Sequence, residues 1–351
     1  MATAAIVGAG VMGTAVAWPL SDNGHQVRLV GTHLDKEIIA SCKEKNFHPR
    51  LKRDLPRNVA PYYLEEIGQA LEGVDFIVSG VNSLGAHWIG RTLAPYVKPG
   101  AKIIGVTKGL EAGADGELVI LPEVLRSELP AEVRGQVRLA AIGGPCIAGE
   151  LAGRRQSCVY FGSRDLELAQ WLAGIFRTDY YHVQPTAEIT ALELAVALKN
   201  AYALGVGLAA GLLNRAGGVD DAGAYMHNTA AALFARGTTE IHNILSMMDA
   251  HPDFAFGLPG AGDLFVTCQG GRSVTLGRLL GEGRSYAEAK ELLKGETLES
   301  ALVIEQMGKA LPLLEARGLL RPQDMPFMHA LIEVVVQGKP LKLDFEKLFA
   351  A

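Results

Sequence analysis

Near the start of the chain, Gly8-Ala9-Gly10-Val11-Met12-Gly13 follows a short apolar run and opens a helical pattern. Few architectures accept a strand, a glycine turn and a helix in that order. Gly8 allows the tight turn, Gly10 lets backbone N–H groups approach a pyrophosphate, and Gly13 lets the helix pack close to the sheet. The helix N-terminus then faces the anion with its positive end. A merely tight turn is the plainer alternative. The position of the motif at the head of a long alternating pattern favours a dinucleotide.

That pattern runs to about residue 183. Strands are expected at Ala4–Val7, Gln26–Val30, Phe76–Gly80, Lys102–Val106, Val137–Ala141 and Ser157–Phe161. Most are continuous apolar runs, as befits strands covered on both faces. Helical patterns lie between them at Val11–Asp22, Lys36–Lys45, Ser83–Tyr96 and Leu166–Phe176. The alternation predicts an α/β fold with a Rossmann-type, doubly wound parallel sheet. Pro19 falls inside the first helix and must break or kink it. From Thr186 onward helices follow one another, at 188–214, 223–249, 273–281, 285–294, 299–316 and 325–337. We therefore expect a dinucleotide-binding domain over 1–185 and an all-helical substrate-binding and catalytic domain over 186–351.

At 351 residues the chain is long enough for two such cores, and 49% hydrophobic against 20% charged residues excludes a disordered chain. A net charge of −5 with scattered basic residues gives no footprint for nucleic acid. The cluster Arg50, Lys52, Arg53 and Arg57 is mixed with Asp54 and two prolines, which suits a solvated loop. Four cysteines without C-x-x-C, and dispersed histidines, predict no disulfide framework, no metal site and a reducing compartment. The run Ala191 to Leu213 is long enough to span a bilayer. Glu193, Lys199 and Asn200 inside it point instead to a buried helix of a soluble, cytoplasmic protein.

The second strand ends in Gly31-Thr32-His33, without the acid that usually accepts a ribose 2′-OH; Asp35 comes about a turn late. Thr32, His33 and Lys36 could hold a 2′-phosphate or form an ordinary polar loop, so the cofactor reads as NAD or NADP with a lean to NADP. Lys199 is the strongest chemical signal. On a helix its neighbours are Ala195, Val196, Ala203 and Tyr202, an apolar stripe save for one hydroxyl. Enclosed lysines are paired or catalytic, and desolvation pulls an amine toward acid–base duty. The alternative is a structural lysine paired with Glu193 or Asp263. Lys108, in Thr107-Lys108-Gly109-Leu110, lies past the C-terminal end of a strand, where ligands of doubly wound sheets bind; otherwise it is a surface lysine beside a turn. Two glycine-rich loops, 143–150 and 257–267 leading to Gly270-Gly271-Arg272-Ser273, could cradle a phosphate or simply turn tightly.

Taken in order, GAGVMG, TKGL, GPCIA, ALKN, GAGDLFVTC and GGRS resemble the NAD(P)-dependent glycerol-3-phosphate dehydrogenases across nearly the whole chain. The resemblance implies a Rossmann domain followed by a helical domain. It also implies reversible hydride transfer between dihydroxyacetone phosphate and sn-glycerol 3-phosphate. By the same resemblance Lys199 is the general acid/base, Lys108 and Asn200 orient and polarise the carbonyl, and Asp263 holds the lysines in place. Thr267 lines the pocket and Arg272 anchors the phosphate, with Ser273 and Cys146 beside the substrate. Cofactor contacts fall to Gly8, Gly10, Val11, Met12, Gly13, Ala148, Arg272 and Glu299, and a homodimer is implied.

Two positions depart from the family pattern. Ser273 stands where Asn follows the arginine, and Cys146 where relatives often carry Ser or Asn. Both leave room for another phosphorylated or sulfonated hydroxyketone. The competing expectations are a β-hydroxyacid dehydrogenase, which the GDLFVTC–GGRS segment opposes, and a non-catalytic nucleotide-binding regulator, which the two lysines oppose.

Overall fold

A computed structural model describes residues 1–349. The chain forms two compact units, Met1–Lys108 with Leu121–Leu192, and Gly109–Ile120 with the residues from Glu193 onward.

The first unit is built on eight strands: β1 (Thr3–Val7), β2 (Gln26–Val30), β3 (Val59–Tyr62), β4 (Phe76–Ser79), β5 (Lys102–Gly105), β6 (Arg138–Gly143), β7 (Ser157–Gly162) and β8 (Tyr181–Thr186). Their spatial order is β8-β7-β6-β5-β4-β1-β2-β3. The first six are mutually parallel in the 3-2-1-4-5-6 order of a Rossmann fold. The last two turn round: β7 pairs antiparallel with β6, and β8 runs parallel to β7. The parallel sheet expected from the sequence is thus extended by two reversed strands at one edge. Ala4 and Ile6 of β1 belong to the apolar core on one face, Ala5 and Val7 to that on the other. Both faces are covered, which is why the strands read as unbroken apolar runs. Two strands lacked that signature. β3 carries Pro61 on the sheet edge, where a missing N–H is tolerated, and β8 alternates buried and exposed residues.

The first helix is split into α1 (Val11–Ala15) and α2 (Ala17–Asp22). Pro19 has no N–H to offer the carbonyl of Ala15, so the interruption falls at Val16, where the expected break belongs.

The second unit centres on α3 (Ile189–Arg215), whose first residues still belong to the first unit. Around it lie α4 (His227–Met247), α5 (Asp263–Cys268), α6 (Arg272–Gly281), α7 (Glu299–Ala316) and α8 (Pro326–Val335). α3 is long and apolar enough to cross a membrane, and most of its apolar stretch is buried. α3 and α6 meet backbone to backbone. A Cβ on Gly211 would lie 2.1 Å from the Arg278 carbonyl oxygen, one on Gly277 2.0 Å from that of Leu204, and one on Gly281 2.3 Å from that of Leu208. Glycine at i and i+4 on both helices permits this approach. Fully buried Glu240 of α4 ties three helices together. It accepts the N–H groups of Phe327 (2.7 Å) and Met328 (2.8 Å) at the start of α8, the Tyr202 hydroxyl (3.0 Å) and Arg236 Nε (3.0 Å).

The second unit is not wholly helical, and it does not begin at residue 186. A short antiparallel hairpin, Leu110–Ala112 with Leu118–Ile120, packs on α7. Ala112 N–H donates to Gln306 Oε1 at 3.0 Å, and Arg317 Nη1 donates to the Asp115 carbonyl at 3.0 Å. Gly116, at φ 87°, brings the turn against Leu313. The segment was legible only as a continuation of the alternating region because its partners lie some two hundred residues on.

Candidate active site

The glycine turn joins β1 to α1 at the point where strand order reverses, since β1 lies between β2 and β4. Gly8 has φ 119°, and a Cβ there would lie 2.6 Å from the Gly80 backbone beyond β4. A Cβ on Gly13 would lie 2.4 Å from the Gly8 carbonyl oxygen. Protein geometry alone therefore requires those two glycines. Gly10 is different: its φ is −66°, and the nearest atom to an added Cβ is 3.9 Å away. No internal packing demands glycine there, so the open face suits the close approach of a ligand. The first helical hydrogen bond is Thr14 N–H to Gly10 O (2.9 Å), which leaves the N–H groups of Gly10, Val11, Met12 and Gly13 without intrahelical partners. That arrangement fits a dinucleotide pyrophosphate.

Asp35 turns inward. Its Oδ2 accepts from Ala9 N–H (3.1 Å), Thr32 N–H (2.9 Å) and the Thr32 hydroxyl (2.7 Å), and the residue is buried. Thr32 Oγ1, which also accepts from Leu34 N–H, has given its proton to Asp35 and has no donor left for a 2′-phosphate. Of the expected trio, His33 and Lys36 remain exposed, with the His33 ring edge-on to Trp88.

Past β5, Thr107 Oγ1 donates to the Val81 carbonyl (2.8 Å), and Lys108 Nζ reaches the Gly144 carbonyl at 3.5 Å. Gly144 itself is held at φ 130° against Val159. The lysine therefore meets the loop that carries Cys146 and Ala148, both of which pack half-buried on the apolar core.

In the second unit, Lys199 is only 4% exposed, between Ala195, Val196, Tyr202 and Ala203, all fully buried. Its Nζ lies 3.1 Å from Asp263 Oδ1 and donates to the Thr267 hydroxyl, which in turn donates to the Asp263 carbonyl (2.7 Å). Of the two carboxylates the sequence offered, Asp263 lies at ion-pair distance. One turn of π-helix, Leu258–Gly262, precedes α5; Gly260 lies so close to Ala255 that a Cβ would sit 2.0 Å from its carbonyl oxygen. Such turns recur at functional sites, and this one aims Asp263 and Thr267 at the lysine. Burial pushes the neighbouring Cys268 thiol up to about 12, with the Lys199 charge opposing. Asn200 is buried beside Lys199 in the sequence. The ion pair offsets the desolvation of both charges, and removing either partner strands the other.

Gly270 and Gly271, the latter at φ 97°, lead into α6. Ser273 is buried, and Arg272 is exposed with a Glu296 carboxylate oxygen 3.6 Å away. Val274 packs on Gly207, two turns of α3 beyond Lys199, or about 12 Å along the axis. Glu299 opens α7, half-buried.

Sequence reasoning missed two residues at the glycine turn, Asp35 in its inward role and His48, whose Nε2 lies 2.9 Å from the Ala9 carbonyl. Their partners lie 26 and 39 residues away, beyond any local pattern.

A Rossmann sheet with an open glycine turn fits the class of NAD(P)-dependent oxidoreductases acting on a CH–OH group. Comparison with known proteins agrees. The N-terminal and C-terminal profiles of NAD-dependent glycerol-3-phosphate dehydrogenase match residues 3–169 and 188–344. An NADP(+)-dependent glycerol-3-phosphate dehydrogenase from Archaeoglobus fulgidus is 35% identical over 289 residues, 82% of this chain and 83% of that protein. A glycerol-3-phosphate dehydrogenase [NAD(P)+] from Streptococcus suis is 32% identical over 346 residues, 96% of this chain and 92% of that protein. The crystal structure of glycerol-3-phosphate dehydrogenase from Coxiella burnetii superposes with a TM-score of 0.80 at 25% identity, covering 99% of this chain and 97% of that one. The chain belongs to the NAD-dependent glycerol-3-phosphate dehydrogenase family.

Proposed function

We propose that the chain interconverts dihydroxyacetone phosphate and sn-glycerol 3-phosphate, with Lys199 as general acid and base. The observation that carries the role of the lysine is its burial against Asp263 and Thr267. The nicotinamide supplies or accepts the hydride. As the C2 carbon is reduced, its oxygen needs a proton, and in this reading Lys199 delivers it from a dry site. Asp263 balances the ammonium, and Thr267 fixes its direction. Asn200 and Lys108 take the polarising roles the family resemblance implies. Arg272 and Ser273 take the phosphate, the guanidinium with two donors and the hydroxyl with one.

NADPH is the preferred reductant in this reading. With Asp35 drawn under the glycine turn, its carboxylate is occupied with Ala9 and Thr32, while the exposed His33 ring offers an N–H and exposed Lys36 a positive charge to a 2′-phosphate. The NADP(+) dependence named for the Archaeoglobus relative supports the same preference. We further infer a cytoplasmic homodimer, on the family resemblance and the thiol content.

The test is oxidation of NADPH and NADH with dihydroxyacetone phosphate, using 3-hydroxy acids as competing substrates. Lys199→Ala should lower kcat by at least about 100-fold while leaving NADPH binding intact. The same change at exposed Lys290 should leave kcat unaltered. Turnover by Lys199→Ala near the unaltered rate would defeat the assignment.

A further inference from the structure

We infer that Asp35 and His48 are cofactor-positioning residues, which grip the Ala9 backbone from two sides and so aim the Gly10 N–H at the pyrophosphate. The inference rests on the reading that the turn Gly8–Gly13 holds the dinucleotide.

His48 is fully buried. Its Nδ1 accepts the Leu51 N–H at 3.0 Å, so the neutral ring carries its proton on Nε2 and donates it to the Ala9 carbonyl at 2.9 Å. On the other side, Asp35 Oδ2 accepts the Ala9 N–H at 3.1 Å. The two bonds engage successive peptide groups, Gly8–Ala9 through its N–H and Ala9–Gly10 through its C=O. In a trans peptide C=O and N–H point in opposite directions. Fixing the Ala9 carbonyl on His48 therefore fixes the Gly10 N–H on the opposite side, where it makes no hydrogen bond among the described residues. The open face beside Gly10 lies at the same position. Neither residue touches the ligand in this scheme; both set the direction of a donor that does.

The bond to the Leu51 N–H gives the arrangement a polarity. A second proton on His48 would set an Nδ1–H against the Leu51 N–H, two donors face to face. Burial already holds the ring below its ordinary value of 6.5. The charged groups acting on the ring are Asp35, which favours the imidazolium, and Arg50, which opposes it; the glycine turn presents only backbone. Protonation of the ring therefore costs the bond to the Leu51 N–H and loosens the hold on Ala9, so cofactor affinity falls as the pH drops into the range, below the ordinary histidine value, where the buried ring takes its second proton.

Equilibrium binding of NADPH, followed by its fluorescence and paired with steady-state kinetics, tests the inference. His48→Ala should weaken NADPH binding about 5- to 10-fold, the worth of one lost hydrogen bond, with kcat at saturating cofactor within about 2-fold. His48→Gln retains an amide donor and should bind within about 3-fold of the unaltered protein. The ratio of its Kd to that of the unaltered protein should fall on going from pH 7.5 to 5.5, because glutamine does not titrate; the ratio cancels titration of the cofactor. Asp35→Asn gives a second route if His48→Ala does not fold. It removes the carboxylate charge and its strong grip on two N–H groups, and should weaken NADPH binding with kcat preserved. Unchanged affinity in His48→Ala or Asp35→Asn, a loss in kcat instead of Kd, or a pH-independent ratio for His48→Gln would overturn the inference. Gly10→Ala separates the underlying reading. Its methyl group enters space the protein leaves open, so full NADPH binding by that variant would refute the cofactor turn itself, whatever the His48 variants do.

Discussion

The crossing of α3 and α6 allows one substitution to be worked through. Replacing Gly211 with alanine places a methyl carbon 2.1 Å from the Arg278 carbonyl oxygen, 2.6 Å from the Glu282 nitrogen and 2.7 Å from the Gly281 carbonyl carbon. All three are backbone atoms of α6 or its last turn. No rotamer change relieves the clash, so the helix must retreat by about 1 Å. Gly277 and Gly281 engage the α3 backbone equally tightly, which resists the retreat. Overpacking of this kind costs about 1–3 kcal/mol and occasionally more. Alanine recovers up to about 1 kcal/mol through helix propensity. The net loss should be about 1–2 kcal/mol, or roughly 2–8 °C in Tm for a unit of this size. Gly174 supplies the control. It lies inside the helix Leu166–Phe176 with no atom within 4 Å of an added Cβ, so Gly174→Ala should raise Tm by a few degrees. Thermal unfolding by circular dichroism distinguishes them. The shift of α6 should also raise KM for dihydroxyacetone phosphate, since Arg272 and Ser273 stand at its first turn. If Gly211→Ala melts at or above the Gly174→Ala temperature, the reading of the crossing is wrong.

Two further outcomes are expected. Glu240→Ala leaves Arg236, two backbone N–H groups and the Tyr202 hydroxyl without their acceptor, and should cost about 3–5 kcal/mol in chemical denaturation; Glu240→Gln, which keeps one acceptor oxygen, should lose less, and equal losses would refute the role. Burial pushes the Cys42 thiol up to about 11 and that of Cys268 up to about 12, so at pH 8 both stay protonated; iodoacetamide should label exposed Cys158 first, and prior labelling of Cys268, read by peptide mass, would contradict its enclosure.

Much of this was legible in the residues because the physics involved is local. Lys199 announced itself through three alanine and valine neighbours and a tyrosine on a helix, and the helices expected from residue 273 onward end within about two residues of where the sequence places them. The apolar strands β1, β4 and β5 declared that both their faces are covered. β3 escaped notice because Pro61 weakens a strand signal without forbidding an edge strand. The two readings left open for Thr32 could not be separated by spacing alone, because the hydroxyl is spent on the carboxylate of Asp35 three residues on. His48 and the pairs Gly207–Gly211 and Gly277–Gly281 were illegible for a different reason. Their meaning lies in which distant backbone they meet, and spacing along the chain carries no record of that.

The hairpin Leu110–Ile120 has a consequence for synthesis and dissection. It leaves the ribosome long before α7, the helix that receives Ala112 and Gly116, has been translated. Until then its Leu110, Leu118 and Ile120 side chains, all buried at the end, have no completed partner to cover them. A fragment cut at residue 185 would release a sheet domain trailing those exposed leucines, and the complementary fragment would lack a piece of its own core. Dissecting this enzyme therefore calls for circular permutation or a replaced loop, and a simple truncation should yield two sticky halves.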